Sequence, residues 1–128
     1  MNDNLPAKRP CLVCDAGLME YSTALEWQEK LLEARKRAVI PDTLLLVEHP
    51  PVITMGWHAV PAHNLATTER LRRENIPVFH TRRGGDVTFH GPGQLVAYPI
   101  LGLPENGLSV TDYVWNLEET AIRTLAPC

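Results

Sequence analysis

Apolar positions along the chain fall into short unbroken runs separated by two long periodic segments. The first run, Cys11-Leu12-Val13-Cys14, predicts a strand over residues 11–15, with Gly17 as a break. From about Glu20 to Arg37, Tyr21, Ala24, Leu25, Leu31 and Leu32 recur on one helical face, with Gln28 as the polar exception. Helix-favouring Glu26, Glu29, Lys30, Glu33 and Arg35 fill the gaps, and Pro41-Asp42 ends the segment as a turn. Thr43 to Val47 is a continuous apolar run too short for a helix, and it predicts a strand buried on both faces. Pro50 and Pro51 close it, since neither has an N–H to continue a ladder. Val52 to Met55 resumes as a strand up to Gly56. Residues 57–65 show no period and read as a loop, Thr67 caps a short helix to about Glu74, and 76–80 form a strand. After another strand over 95–100, Ser109-x-x-Asp112 resembles a capping box. It opens the clearest amphipathic helix, with Val110, Tyr113, Val114, Leu117, Ala121 and Leu125 at helical spacing. About three helices and five or six strands in mixed order predict an α/β or α+β fold, a mixed or antiparallel sheet flanked by helices.

Between the strands at 76–80 and 95–100 lies Thr81 to Gln94, which holds four of the chain's eight glycines. Gly84-Gly85 and Gly91-Pro92-Gly93 bracket the β-prone Val87-Thr88-Phe89, so the segment reads as strand, turn, short strand, turn, strand. The same residues read as a small-molecule site. The glycines allow close backbone approach, Arg83 supplies a fixed charge and His90 a titratable ring. Thr88 and His90, two apart on a strand, share a face.

At 128 residues, 45% of them hydrophobic, the chain is long enough for one domain with its own core. Residues 1–10 are polar, contain two prolines and read as a flexible leader, while 11–128 form the domain. A net charge of −3 lacks the basic excess of a nucleic-acid binder. Arg70, Arg72 and Arg73 read as a solvated helix face, one that can also meet an acidic partner. There is no long apolar run for a membrane span and no apolar core of a signal peptide, so a cytoplasmic location is expected.

Motifs that commonly carry chemistry are missing. No Gly-Lys-Ser/Thr follows the glycines, and Gly91-x-Gly93 runs into a strand without a third glycine, which argues against nucleotide phosphates. The histidines at 49, 58, 63, 80 and 90 show no His-x-x-x-His pair, and Cys11-x-x-Cys14 has no second cysteine pair to complete a zinc site, so no metal is expected. The cysteine pair reads as ordinary strand residues. His90 can act as a base or a hydrogen-bond donor, yet no cysteine lies in a turn that would present it as a nucleophile.

The order of residues from Arg83 to Leu95, R-G-G-D-V-T-F-H-G-P-G-Q-L, resembles the signature of the lipoate-protein ligase B family, R-G-G-x-x-T-aromatic-H-G-P-G-Q. Tyr21 with Ala24 and Gln28 is similar to that family's first helix, and Leu45 to Val52 to its strand pair around Glu-His. Asp112-Tyr113-Val114 with Leu117-Glu118 is similar to its next helix. The likeness runs from about Cys11 to Ala126. ATP-using sibling ligases follow the related arginine-glycine stretch with His-Asp, so His90-Gly91-Pro92-Gly93-Gln94 favours the transferase.

The resemblance implies a biotin/lipoate ligase-like fold related to the class II synthetase core. It implies an acyltransferase that moves octanoyl from octanoyl-acyl carrier protein to a lysine on lipoyl domains of 2-oxoacid dehydrogenases or the glycine-cleavage H protein. A cysteine thiolate would carry the acyl group, and a nearby lysine would lower its pKa, without ATP or any cofactor. Substrate-binding residues implied are Arg83, Gly84, Gly85, Asp86, Val87, Thr88, Phe89 and His90. The family's catalytic lysine lies in a G-x-K-I-A-A-I-G-like strand and its cysteine in a P-C-G-like turn. This chain has only Lys8, Lys30 and Lys36, and Pro127-Cys128 follows a helix directly, so Cys128 is not assigned as nucleophile. The expectation is the N-terminal portion of a catalytic domain. The alternative is a non-catalytic module that binds acyl carrier protein or a lipoyl domain.

Overall fold

A computed structural model describes residues 9–126 apart from residue 65. The elements run β1 (Cys11–Leu18), α1 (Tyr21–Lys36), β2 (Asp42–Glu48), β3 (Val52–Met55), α2 (Thr68–Arg73), β4 (Val78–His80), β5 (Val87–His90), β6 (Val96–Ile100) and α3 (Val110–Leu125). Short 3-10 turns at Pro61–His63 and Pro104–Asn106 lie within the loops. The strands form two mixed three-stranded sheets, in the orders β1-β2-β6 and β4-β3-β5. Each has one parallel and one antiparallel pair. The α+β class with sheets flanked by helices is as expected. The division into two sheets was not legible, and its cause is Pro50-Pro51. The two prolines interrupt N–H donation between β2 and β3, and the chain leaves one ladder to start another.

Local chemistry sets the ends of the elements. β1 runs past Gly17 instead of stopping there. Its register with β2 shifts between Asp15 and Leu18, Gly17 takes φ +59°, and its N–H donates to Asp15 Oδ1 at 3.1 Å. Glycine serves here as a bulge residue within the strand. Cys11 and Cys14 are unpaired on β1, and an odd spacing on a strand turns them to opposite faces. Thr67 Oγ1 caps α2 by accepting from the Arg70 N–H. The predicted basic face on α2 is partly neutralised, because Arg70 and Arg73 both lie against Glu74.

α1 packs on β2 and β6. Thr43, Leu45 and Val47 of β2 face that helix and are buried, with Leu45 at 0% exposure. Leu44 and Leu46 on the other face are only half-buried, so β2 is not buried on both faces as its composition suggested. Helix covers one side of this sheet. The second sheet builds its own cluster from Ile53, Met55 and Leu71, joined by Val87. A clip ties α1 to the segment after β6. Arg35 Nε donates to Asp42 Oδ1 at 2.6 Å, the Gly102 N–H to the same oxygen at 2.9 Å, and Asn106 Nδ2 to Asp42 Oδ2 at 2.7 Å. Burial works to raise the Asp42 pKa, but these donors together outweigh it and hold the carboxyl below its ordinary value.

Candidate active site

A cavity of about 410 Å³ opens where α1 meets the two sheets. α1 contributes Tyr21, Leu25 and Gln28, β6 contributes Val96 and Tyr98, β5 contributes Thr88 and His90, and β3 contributes Thr54. Thr81, Arg82 and Arg83 close the remaining side. Gln28 breaks the apolar stripe of α1 because it faces this cavity. That polar exception is a sequence signal for a lining residue outside the glycine-rich stretch, whereas Val96 and Tyr98 sit in an unbroken apolar run that carries no such signal.

The wall around Tyr21 is a cluster of flat rings. Tyr21 stacks on His90 with centroids 6.5 Å apart and 11° between planes. It meets His49 edge-on at 5.4 Å and Phe79 at 5.0 Å. His49 is fully buried, at 0% exposure. Its Nδ1 lies 2.8 Å from the Met19 carbonyl, an acceptor only, so that nitrogen carries the hydrogen. Nε2 lies 2.9 Å from the Tyr98 hydroxyl, so the ring bridges Met19 and Tyr98. Burial first, and the neighbouring Tyr21 second, push the Tyr98 hydroxyl up to about 12, so it keeps its proton at neutral pH.

The glycine-rich segment divides between lining and scaffold. Arg83, Thr88 and His90 line the cavity, and Thr88 and His90 share the face expected of them. Val87 turns the other way, onto Ile53, Met55 and Leu71, and Phe89 is 54% exposed. Asp86 lies outside the cavity lining. Its Oδ1 accepts from the Val60 N–H at 3.0 Å, and its Oδ2 pairs with His63 Nδ1. The His63 hydrogen bond, then that of Val60, hold the Asp86 carboxyl below the usual range.

Arg83 is a brace as well as a charge. Its Nε and Nη2 donate to Thr54 Oγ1, and Nη2 also reaches the Thr54 and Asp86 carbonyls, both at 2.8 Å. Nη1 reaches the Gly84 carbonyl at 2.8 Å. These bonds pin the loop to β3. Gly85 adopts φ +80°, and its carbonyl packs where a Cβ on Gly56 would stand. The double glycine therefore meets a third glycine from β3's end, a closeness that serves backbone packing.

The second turn fixes His90. Pro92 and Gly93 occupy the two central positions, Gly93 has φ +86°, and the Gln94 N–H closes on the Gly91 carbonyl at 3.1 Å, the pattern of a type II turn. Across this turn His90 Nδ1 donates to Gln94 Oε1 at 2.7 Å, which fixes the ring's orientation. The Gly93 N–H donates to Glu48 Oε2 at 2.9 Å, tying the turn to the end of β2. An apolar cavity with a hydroxyl, an imidazole and a phenol at its edge suits a flexible chain ending in a carbonyl group.

Comparison with known proteins fits that geometry. The family described as the lipoyl protein ligase A/B catalytic domain matches residues 20–128. The chain belongs to this family. Within it, the chain sides with lipoate-protein ligase B, as its Arg-Gly-Gly to Gly-Gln signature implied. It is 50% identical over 113 residues to a protein named octanoyltransferase from Alkaliphilus metalliredigens, covering 88% of this chain and 52% of that one. Octanoyltransferases of Chloroflexus aggregans (48% over 118 residues; 92% and 53% covered) and Syntrophobacter fumaroxidans (46% over 117 residues; 91% and 51% covered) are similar to it. The chain thus spans about half the length of the curated relatives it matches. Among its described residues, no helix is long and apolar enough to cross a membrane.

Proposed function

We propose that this chain forms the acyl-holding part of an octanoyltransferase. In this reading residues 11–128 are the N-terminal portion of a catalytic domain that acts in the cytoplasm. Octanoyl passes from acyl carrier protein to a lysine of a lipoyl domain, on a 2-oxoacid dehydrogenase or the glycine-cleavage H protein. The observation that carries the proposal is the cavity against α1, into which the signature residues Thr88 and His90 both point. Leu25 and Val96 offer apolar wall, and each methylene buried there contributes about 0.8 kcal/mol. On the cavity wall Thr88 offers a hydroxyl that can donate a hydrogen bond to a thioester carbonyl. Arg83 to Phe89 serve partly through backbone, with Gly84, Gly85 and Asp86 holding the loop that Arg83 braces.

The chemistry is thioester exchange onto a cysteine thiolate, followed by transfer to an amine, and neither step requires ATP. No cysteine or lysine is among the eleven lining residues. Cys128 lies outside the described residues, so the thiolate and its lysine are assigned to none of the residues lining the cavity. That observation gives the second reading its ground, a module that binds octanoyl-acyl carrier protein or a lipoyl domain without turning it over.

Calorimetric titration with octanamide tests the cavity. Octanamide should bind, and butanamide roughly two hundredfold more weakly for its four missing methylenes. Thr88→Phe and Val96→Phe, each filling the space, should weaken octanamide at least tenfold while the circular dichroism spectrum is retained. Equal affinity in the filled variants would sink the assignment. Intact-mass measurement after incubation with octanoyl-acyl carrier protein separates the two functions, since an acyl adduct supports the transferase and complex formation without one supports the module.

A further inference from the structure

The loop after β3 is tied to the glycine-rich segment in two different ways. Its root is pinned through backbone, where the Gly56 N–H donates to the Asp86 carbonyl at 3.0 Å and the Trp57 N–H to the Arg83 carbonyl at 2.9 Å. Beyond Trp57 the backbone bonds close within the loop itself, from Ala59 to Gly56, His63 to Val60 and Asn64 to Pro61. Among the described residues, the hydrogen bonds that reach the glycine-rich segment from residues 58–64 both end on one carboxylate. The Val60 N–H donates to Asp86 Oδ1 at 3.0 Å, and His63 Nδ1 donates to Asp86 Oδ2. The His63 and Asp86 side chains are 57% and 41% exposed, so protons from water reach both. Neither residue lines the acyl cavity.

We propose that His63 and Asp86 form a proton-controlled latch, which fastens residues 58–64 to the glycine-rich segment more tightly when the imidazole is charged. His63 Nδ1 faces an acceptor-only carboxylate, so it carries a hydrogen whether the ring is neutral or charged. A second proton, on Nε2, turns a neutral donor into a charged one, and a charge-assisted hydrogen bond is about twice as strong. Other charged groups nearby point elsewhere. Arg83 reaches the Asp86 carbonyl and not its carboxylate, and on α2 Arg70 and Arg73 lie against Glu74. The His63 hydrogen bond, then that of Val60, hold the Asp86 carboxyl below its usual range. The latch therefore keeps its acceptor until the pH falls through that lowered value, and loses its charged donor as the pH rises through the titration of the imidazole. Mild acid is the condition that closes it.

Hydrogen exchange at single backbone amides, followed by NMR on the full chain and expressed as protection relative to an unstructured peptide, tests the latch. The Val60 amide reports the far part of the loop through its bond to Asp86 Oδ1, and the Gly56 amide reports the root. Val60 should be about threefold better protected at about pH 5.5 than at about pH 8.5, the scale of an exposed ion pair across the imidazole titration. Gly56 should keep the same protection at both. His63→Gln, which still offers a donor but cannot take the charge, should abolish the difference at Val60. Asp86→Asn, which keeps the shape and loses the charge, should abolish it as well. Equal protection of Val60 at the two pH values in the unaltered chain, or an undiminished difference in His63→Gln, overturns the latch. A parallel change at Gly56 overturns it too, because the loop then opens from its root.

Discussion

α1 and α3 are both sixteen-residue helices, and they meet opposite fates. α1 has the weaker apolar stripe, interrupted by Gln28, yet Tyr21 and Ala24 are buried and the helix packs on β2 and β6. α3 has the cleaner stripe and a complete capping box, with the Asp112 N–H donating to Ser109 Oγ at 3.1 Å and the Ser109 N–H to Asp112 Oδ2 at 3.0 Å. Yet Val110, Val114, Trp115, Leu117, Ile122 and Leu125 are all exposed. Tyr113 enters a groove beside Leu25, Leu32, Pro99 and Leu103. Periodicity fixes which side of a helix is apolar. It says nothing about what, if anything, lies against that side.

The largest effect should come from the floor under α1. Leu45→Ala empties a site at 0% exposure and should cost about 3 kcal/mol in urea unfolding, with the slope unchanged. A loss below about 1 kcal/mol would mean that α1 is no better packed than α3. Next is the clip between α1 and the segment that leads to α3. Asp42→Ala leaves Arg35, Gly102 and Asn106 without their shared acceptor and should cost about 2 kcal/mol. Because the folded Asp42 pKa lies below the unfolded value, the unfolded chain binds more protons between the two. The clip's contribution is therefore complete above pH ~4 and lost as the pH falls through the folded value. Asp42→Asn should show a shallower decline in that window. An identical acid profile would remove Asp42 from the account.

What the sequence revealed follows the same division between local and distant causes. The Thr67 cap, the capping box of α3, the two glycine turns and the shared face of Thr88 and His90 depend on residues within a few positions of one another, and all were legible. Pro50-Pro51 breaks the ladder between β2 and β3, but which strands join each of the two sheets depends on where β6 and β4 return. The half-exposed side of β2 depends on which face α1 covers. Neither is written in the strands themselves. Within the glycine-rich stretch, Arg83 read as a fixed charge for a ligand. Its commitment to Thr54 arises because β3 runs alongside, 29 positions away in the chain. The need for glycine at position 56 has the same origin, in the carbonyl of Gly85 opposite it. His49 carried a hint, a histidine at the end of a buried strand, but its partners Met19 and Tyr98 lie 30 and 49 residues away.

The smaller effects test α3 itself. Ser109→Ala removes a local cap and should cost about 1 kcal/mol, read as lost helicity at the far end of the chain. Smallest of all should be Ile122→Lys. Ile122 is 62% exposed, so the substitution removes little buried surface and should change stability by less than about 0.5 kcal/mol. It should still reduce binding of an apolar dye and slow concentration-dependent association, because it breaks a contiguous apolar strip facing water. The same change at Leu45 would unfold the chain. If Ile122→Lys instead costs more than about 2 kcal/mol, the strip is covered in solution and α3 is packed as α1 is. The contrast between the two helices would then lie in what covers them, with both apolar faces buried.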